Sequence, residues 1–134
     1  KDLKKYVKTS DLEGKVHFIG FLDNIDKYHA YHAADLLVVP SRSEVISMVA
    51  LEAGLASTPV LITDKCGFNE LSKINGGVVV AATAEGIERG LINIFSHKEK
   101  LKLMGRNLRK YVINNFIWET IINKYIRLFN QILK

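Results

Sequence analysis

Glu44 and Glu52 stand eight positions apart in PSRSEVISMVALEAGLASTPVLIT, residues 40–63, and are the side chains best placed to do chemistry. An ionised carboxylate only accepts hydrogen bonds, so hydroxyl groups are its natural ligands. The stretch reads as strand, loop, helix and strand without a gap, with Glu44 in the loop and Glu52 inside the helix. At about 100° per residue, Glu52 lies within about 60° of Met48, Val49, Leu55 and Ala56, an apolar face. A carboxylate buried there without partners would be costly. Its donors must come from protein, water or a ligand, and a ribose diol is one suitable ligand. The structural alternative is a bridge from Glu52 to the backbone of a neighbouring loop. Glu44 also has two readings. Ser41-Arg42-Ser43-Glu44 fits the S-x-x-E capping box, with Ser41 as N-cap and Glu44 at the third helical position. Otherwise Glu44 sits beside a sugar while the free N–H groups at the helix start face a diphosphate, aided by the helix dipole. Geometry alone leaves both pairs of readings open.

The elements that must position these residues follow from periodicity. Residues 2–12 read as a short helix ended by Gly14, and VHFIG at 16–20 as a strand. A helix follows from Asn24 or Asp26, then an apolar run at 36–39 closed by Pro40, of the kind a strand covered on both faces shows. The order continues with a helix near 46–56, a strand at 59–63, a short helix near 68–73 and a strand at 77–81. Strands alternating with helices predict an α/β fold, a Rossmann-like parallel sheet layered between helices. Ligands of such sheets bind beyond the carboxyl ends of the strands, where Glu44 falls. From about residue 84 the period is helical, so two or three helices close the chain. In the last, Trp118, Ile121, Ile122, Tyr125, Phe129 and Ile132 recur at steps of three and four, with Glu119, Lys124 and Arg127 between them. This amphipathic helix is expected to pack against the protein body, with a membrane surface as the alternative.

Composition narrows the function classes. A chain of 134 residues that is 48% hydrophobic can bury one core. No apolar run approaches the roughly 20 residues that span a bilayer. The basic N-terminal stretch lacks the apolar centre of a secretory signal, so a cytoplasmic setting is expected. The single cysteine, Cys66, makes no internal disulfide, and the four histidines show no zinc-ligand spacing. No Asp-x-Asp pair is present to hold a divalent ion, so no metal is expected. Residues 98–134 hold nine Lys/Arg against two acids, while residues 1–97 hold ten against twelve. Such a tail reads as a solvated helix face or as contact with an anionic membrane; without aromatic stacking motifs it does not read as a nucleic-acid binder.

Read jointly, the motifs resemble the donor domain of the group 1 (family 4) glycosyltransferases, which have the GT-B fold. The resemblance rests on Pro40-Ser41, Glu44, Glu52-Ala53, Thr58-Pro59-Val60 and Thr63-Asp64, with Gly67 and Glu70 beyond them. Val16, Phe18 and Gly20 match the family's preceding strand and turn, Ala34-Asp35 its next strand entry, and Met104-Gly105, Phe116 and Trp118 its closing helices. The match covers nearly the whole chain.

The resemblance implies transfer of a sugar from a nucleotide-diphosphate donor of UDP, GDP or ADP type, with retention of configuration and no cofactor. It implies that Glu52 binds the ribose hydroxyls and that Glu44, the candidate catalytic residue, contacts donor-sugar hydroxyls. The backbone N–H groups of Ile46, Ser47, Met48 and Val49 would bind sugar and phosphate oxygens, and Gly20-Phe21 would border the base. Residues 1–134 would form part of a C-terminal nucleotide-sugar-binding domain. The first strands of that domain, an Arg/Lys diphosphate clamp and an N-terminal domain for a glycan, lipid-linked or small-molecule acceptor would lie outside the chain. The isolated piece is then expected to be inactive, and its enzyme cytoplasmic, with peripheral contact at the inner membrane face. One departure stands out: Val45-Ile46-Ser47 replaces the Gly-Phe-Gly of many members. It opens the alternative of a non-catalytic nucleotide-binding module.

Overall fold

A computed structural model describes residues 2–133. Three strands, β1 (Leu37–Val39), β2 (Val60–Thr63) and β3 (Gly77–Val80), form a parallel sheet in the order β1-β2-β3. Leu37 pairs with Val60, and Val60 with Gly77. Ahead of β1 come α1 (Leu3–Thr9) and α2 (Asn24–Ala33). The strands are joined by α3 (Met48–Leu55) and α4 (Glu70–Lys73), and α5 (Ala84–Phe95), a 3-10 turn at Lys98–Lys100, α6 (Leu101–Phe116) and α7 (Trp118–Ile132) follow. The expected α/β layering is therefore present. No helix among the described residues is long and apolar enough to cross a membrane.

β2 is buried along its whole length and sends alternate side chains to opposite layers. Val60 and Ile62 join the larger cluster with Ala50, Leu51, Leu71, Leu108 and Val112, under α3, α4 and α6. Leu61 meets Ile94 and Leu101 on the α5 side. Close backbone approach requires small residues here. A Cβ on Gly54 would lie 2.8 Å from Leu108 Cγ, and one on Gly105 would lie 1.9 Å from the Ser57 carbonyl oxygen. α3 ends in a Schellman turn: Ser57, at φ +64°, and Thr58 donate to the carbonyls of Gly54 and Ala53. Arg109 Nη1 donates to the Leu55 carbonyl at 2.9 Å, so one cation of the basic tail caps this helix.

Three expectations are corrected. VHFIG is not a strand: residues 16–20 pair with no neighbouring strand, Gly20 lies at φ +74°, and Val16, Phe18 and Ile19 are exposed. A β-rich run without a neighbour to share ladder hydrogen bonds gains no strand. Ser41 is not a helix cap, because α3 begins seven residues later at Met48 and Ser47 is its N-cap, without a side-chain cap bond. Finally, α7 does not bury its apolar stripe. It has no buried residue, contacts α6 and leaves Trp118 74% exposed.

Candidate functional site

Because the strands run parallel, the loops after β1, β2 and β3 meet at one edge, and short bonds fasten them together. Thr63 Oγ1, at the end of β2, donates to the Ser41 carbonyl, and the Glu44 N–H donates to the Lys65 carbonyl at 2.8 Å. The Asp64 N–H reaches the Val80 carbonyl at 2.8 Å, and Asp64 Oδ1 accepts from the Ala82 N–H at 3.2 Å. This lattice holds residues 41–47 away from helical geometry, which is why the capping box does not form.

Gly67 is the floor of the loop. It lies at φ +61°, and an added Cβ would sit 1.8 Å from the Val45 carbonyl oxygen and 3.2 Å from that of Glu44. Two atoms of the loop are buried without a hydrogen-bond partner: Glu44 Oε2 and Ser47 Oγ. Orphaned polar atoms are rare in folded proteins, and a bound ligand is one way to satisfy them. Beside them, Met48, Val49 and Ala50 carry the free N–H groups of the first turn of α3, since the first bond within the helix runs from Leu51 to the Ser47 carbonyl at 3.3 Å. Glu44, Ile46, Ser47, Met48 and Val49 are thus gathered on one loop and helix start. Val45, Ile46 and Ser47 are absent from the residues with positive φ, so this loop is built without glycine geometry. Gly20 and Phe21 lie in an exposed segment, Phe21 being 90% exposed.

Glu52 points across to α2. Oε1 accepts from Lys27 Nζ at 2.8 Å and Oε2 from Tyr31 OH at 3.0 Å, so its partners are side chains and not a loop backbone. The Glu52 side chain keeps 34% of its exposure. α2 is itself tied down, because Thr58 Oγ1 donates to the Tyr31 carbonyl at 2.6 Å. A groove of about 180 Å³ opens between Glu52, Leu55 and the Asn24, Lys27, Tyr28, Tyr31 face of α2. A second, of about 330 Å³, lies on the other side of Glu52 between Met48, Leu55, Phe116 and Trp118. Sequence reasoning missed Lys27 and Tyr31. Their spacing of four places them on one helix face and was the available signal.

Burial first, then the hydrogen bond to Glu52 and its charge, push the Tyr31 phenol up from 10.0 to about 12. A folded-state pKa above the unfolded one contributes stability that is full below the unfolded value. Tyr31 therefore stabilises the fold below pH 10 and loses that contribution as pH rises toward 12. Difference spectra of the phenolate band, wild type against Tyr31→Phe, should show this late titration. A Tyr31 that ionises at its ordinary value would mean that neither its burial nor the Glu52 bond is kept in solution.

Residues 1–111 match the family model described as glycosyl transferases group 1. The chain belongs to this family. Among its relatives, an uncharacterized glycosyltransferase of Methanocaldococcus jannaschii is 30% identical over 117 residues, 86% of this chain and 30% of that protein. An O-antigen biosynthesis glycosyltransferase of Escherichia coli is 36% identical over 102 residues, 75% of this chain and 29% of that protein. Among solved structures, sucrose-phosphate synthase from Thermosynechococcus elongatus superimposes with a TM-score of 0.84 at 27% identity, covering 98% of this chain and 33% of that one. The group 1 chain described here thus spans about a third of the length of these relatives. Its parallel sheet flanked by helices has the Rossmann-like architecture of a GT-B domain.

Proposed function

We propose that this chain binds the nucleotide-diphosphate part of a sugar donor and that the enzyme built around it transfers the sugar with retention of configuration. The observation that carries the reading is the conjunction at the start of α3: free N–H groups at Met48, Val49 and Ala50, with Ser47 Oγ and Glu44 Oε2 buried and unpartnered beside them. N–H groups and the helix dipole suit phosphate oxygens, the serine hydroxyl can donate to them, and the carboxylate suits sugar hydroxyls. Glu44 is assigned contact with the donor sugar and no nucleophilic role. Glu52, with one protein donor on each oxygen, keeps lone pairs for the ribose diol. Gly20-Phe21 is the proposed border of the base. The acceptor site and a cationic diphosphate clamp are assigned to parts of the enzyme outside this chain. The alternative of a non-catalytic module leaned on the missing glycines, and a loop that needs no positive φ weakens it.

Calorimetric titration of the chain with UDP, GDP and ADP tests the reading. One of them should bind and raise the thermal midpoint; at a hundredfold excess over Kd the stabilisation is about 2.7 kcal/mol, a rise of roughly 5–15 °C. EDTA should not change the affinity, since no Asp-x-Asp pair is available to hold a bridging ion. Absence of binding at millimolar nucleotide would refute the donor-site reading, and an affinity abolished by EDTA would refute the metal-free one.

A further inference from the structure

We propose that Lys27 and Tyr31 are positioning residues: together they orient the Glu52 carboxylate so that it takes both ribose hydroxyls, and they thereby set the preference for ribo- over deoxyribonucleotides. The inference rests on the nucleotide-binding reading of the site. Each Glu52 oxygen has one donor of its own, Lys27 Nζ at 2.8 Å on Oε1 and Tyr31 OH at 3.0 Å on Oε2. Two donors from one helix face fix the plane of the carboxylate, where one would leave it free to turn. An ionised carboxylate offers about four lone-pair sites, so one remains on each oxygen, matching the two hydroxyls of a vicinal diol.

The donors are fixed in turn. The Tyr31 carbonyl accepts from Thr58 Oγ1 at 2.6 Å, and His32 Nδ1 lies 3.2 Å from the Ala56 carbonyl oxygen, so α2 is registered against the turn that ends α3. Lys27 has a second effect. Its charge offsets that of Glu52 at the mouth of a site meant for an anion, where an unpaired carboxylate would repel the diphosphate. A purely structural role accounts for less: Lys27 and Glu52 side chains are 39% and 34% exposed, and a pair so open to water adds little stability.

The test compares UDP, GDP and ADP with their 2′-deoxy forms on the wild-type chain and on Tyr31→Phe, Lys27→Gln and Glu52→Gln, with circular dichroism as the check of folding. The wild type should prefer the ribo form by at least about tenfold, as expected for hydrogen bonds to a charged group. Tyr31→Phe and Lys27→Gln should each bring that ratio close to one; affinity for the deoxy form changes little in Tyr31→Phe and falls in Lys27→Gln, where the uncovered Glu52 carboxylate repels the diphosphate of both forms alike. If both variants keep the ratio and Glu52→Gln loses it, the positioning role is overturned and the ribose contact stands. If the wild type shows no preference, or binds none of the nucleotides, the ribose reading falls and takes the positioning role with it. Should Tyr31→Phe fail to fold, Lys27→Gln at the half-exposed end of the clamp decides alone.

Discussion

Gly67→Ala should lower the thermal midpoint by roughly 10–15 °C and remove nucleotide binding from whatever remains folded. Two costs add at this position. A left-handed backbone carrying a Cβ costs about 1–2 kcal/mol. The new Cβ would also stand 1.8 Å from the Val45 carbonyl oxygen, and forcing a packed backbone apart costs about 1–3 kcal/mol more. The atom displaced belongs to the loop that carries Glu44 and leads into Ser47, so the damage is to the site as well as to the fold. Gly105→Ala is the control, because its Cβ would stand 1.9 Å from the Ser57 carbonyl oxygen, at the opposite end of α3. It should destabilise by a similar amount and leave the affinity of the folded fraction intact. Native midpoint and native affinity in Gly67→Ala would show that Gly67 does not support the loop; equal loss of affinity in both variants would show that the site only follows global stability.

In a transferase that contains this domain, Glu44→Gln should slow transfer by tenfold or more, about 1.4 kcal/mol or greater in barrier. The nucleotide Kd should hardly change. With the capping box gone, no helix depends on this carboxylate, and a neutral amide in place of a buried, unpartnered Oε2 should leave the midpoint unchanged or raise it. Glu52→Ala behaves differently, since it removes an acceptor from the nucleotide and should weaken nucleotide and nucleotide-sugar by similar factors. Steady-state rates with titrations of both ligands distinguish the two. Full activity in Glu44→Gln would remove Glu44 from the donor site, and unaltered nucleotide binding in Glu52→Ala would remove the ribose contact.

The alternation of strand and helix from residue 24 to residue 95 was legible because each element carries its own period and its own stop. Pro40 closes one strand, Thr58-Pro59 opens the next, and Thr83 caps α5 by accepting from the Gly86 N–H at 3.0 Å. The spacing of Glu44 and Glu52 was legible too, and so were Gly67 and Gly105 as family positions; that a Cβ at either would meet a carbonyl oxygen is visible only in the fold. Two things were not legible. The S-x-x-E pattern at Ser41 is a local signal, and bonds from Thr63 and Lys65, far along the chain, override it. Helical periodicity gives Glu52 only the neighbours on its own helix, whereas its partners sit on α2, more than twenty residues earlier. VHFIG failed for the same reason in reverse: the propensity is local, and the partner it needs is not.

Long-range fastening of the loop after β1 bears on the order of events as the chain folds. The contacts that shape residues 41–45 span 21 or 22 positions, through all of α3 and β2. Loop-closure entropy must be met before such contacts form, so they arise late compared with the helices. A peptide covering residues 36–56 alone would contain both glutamates and none of the geometry. Recovery of ligand binding after dilution from denaturant is therefore a direct clock for the docking of β2 against β1, and it should trail the return of helical ellipticity.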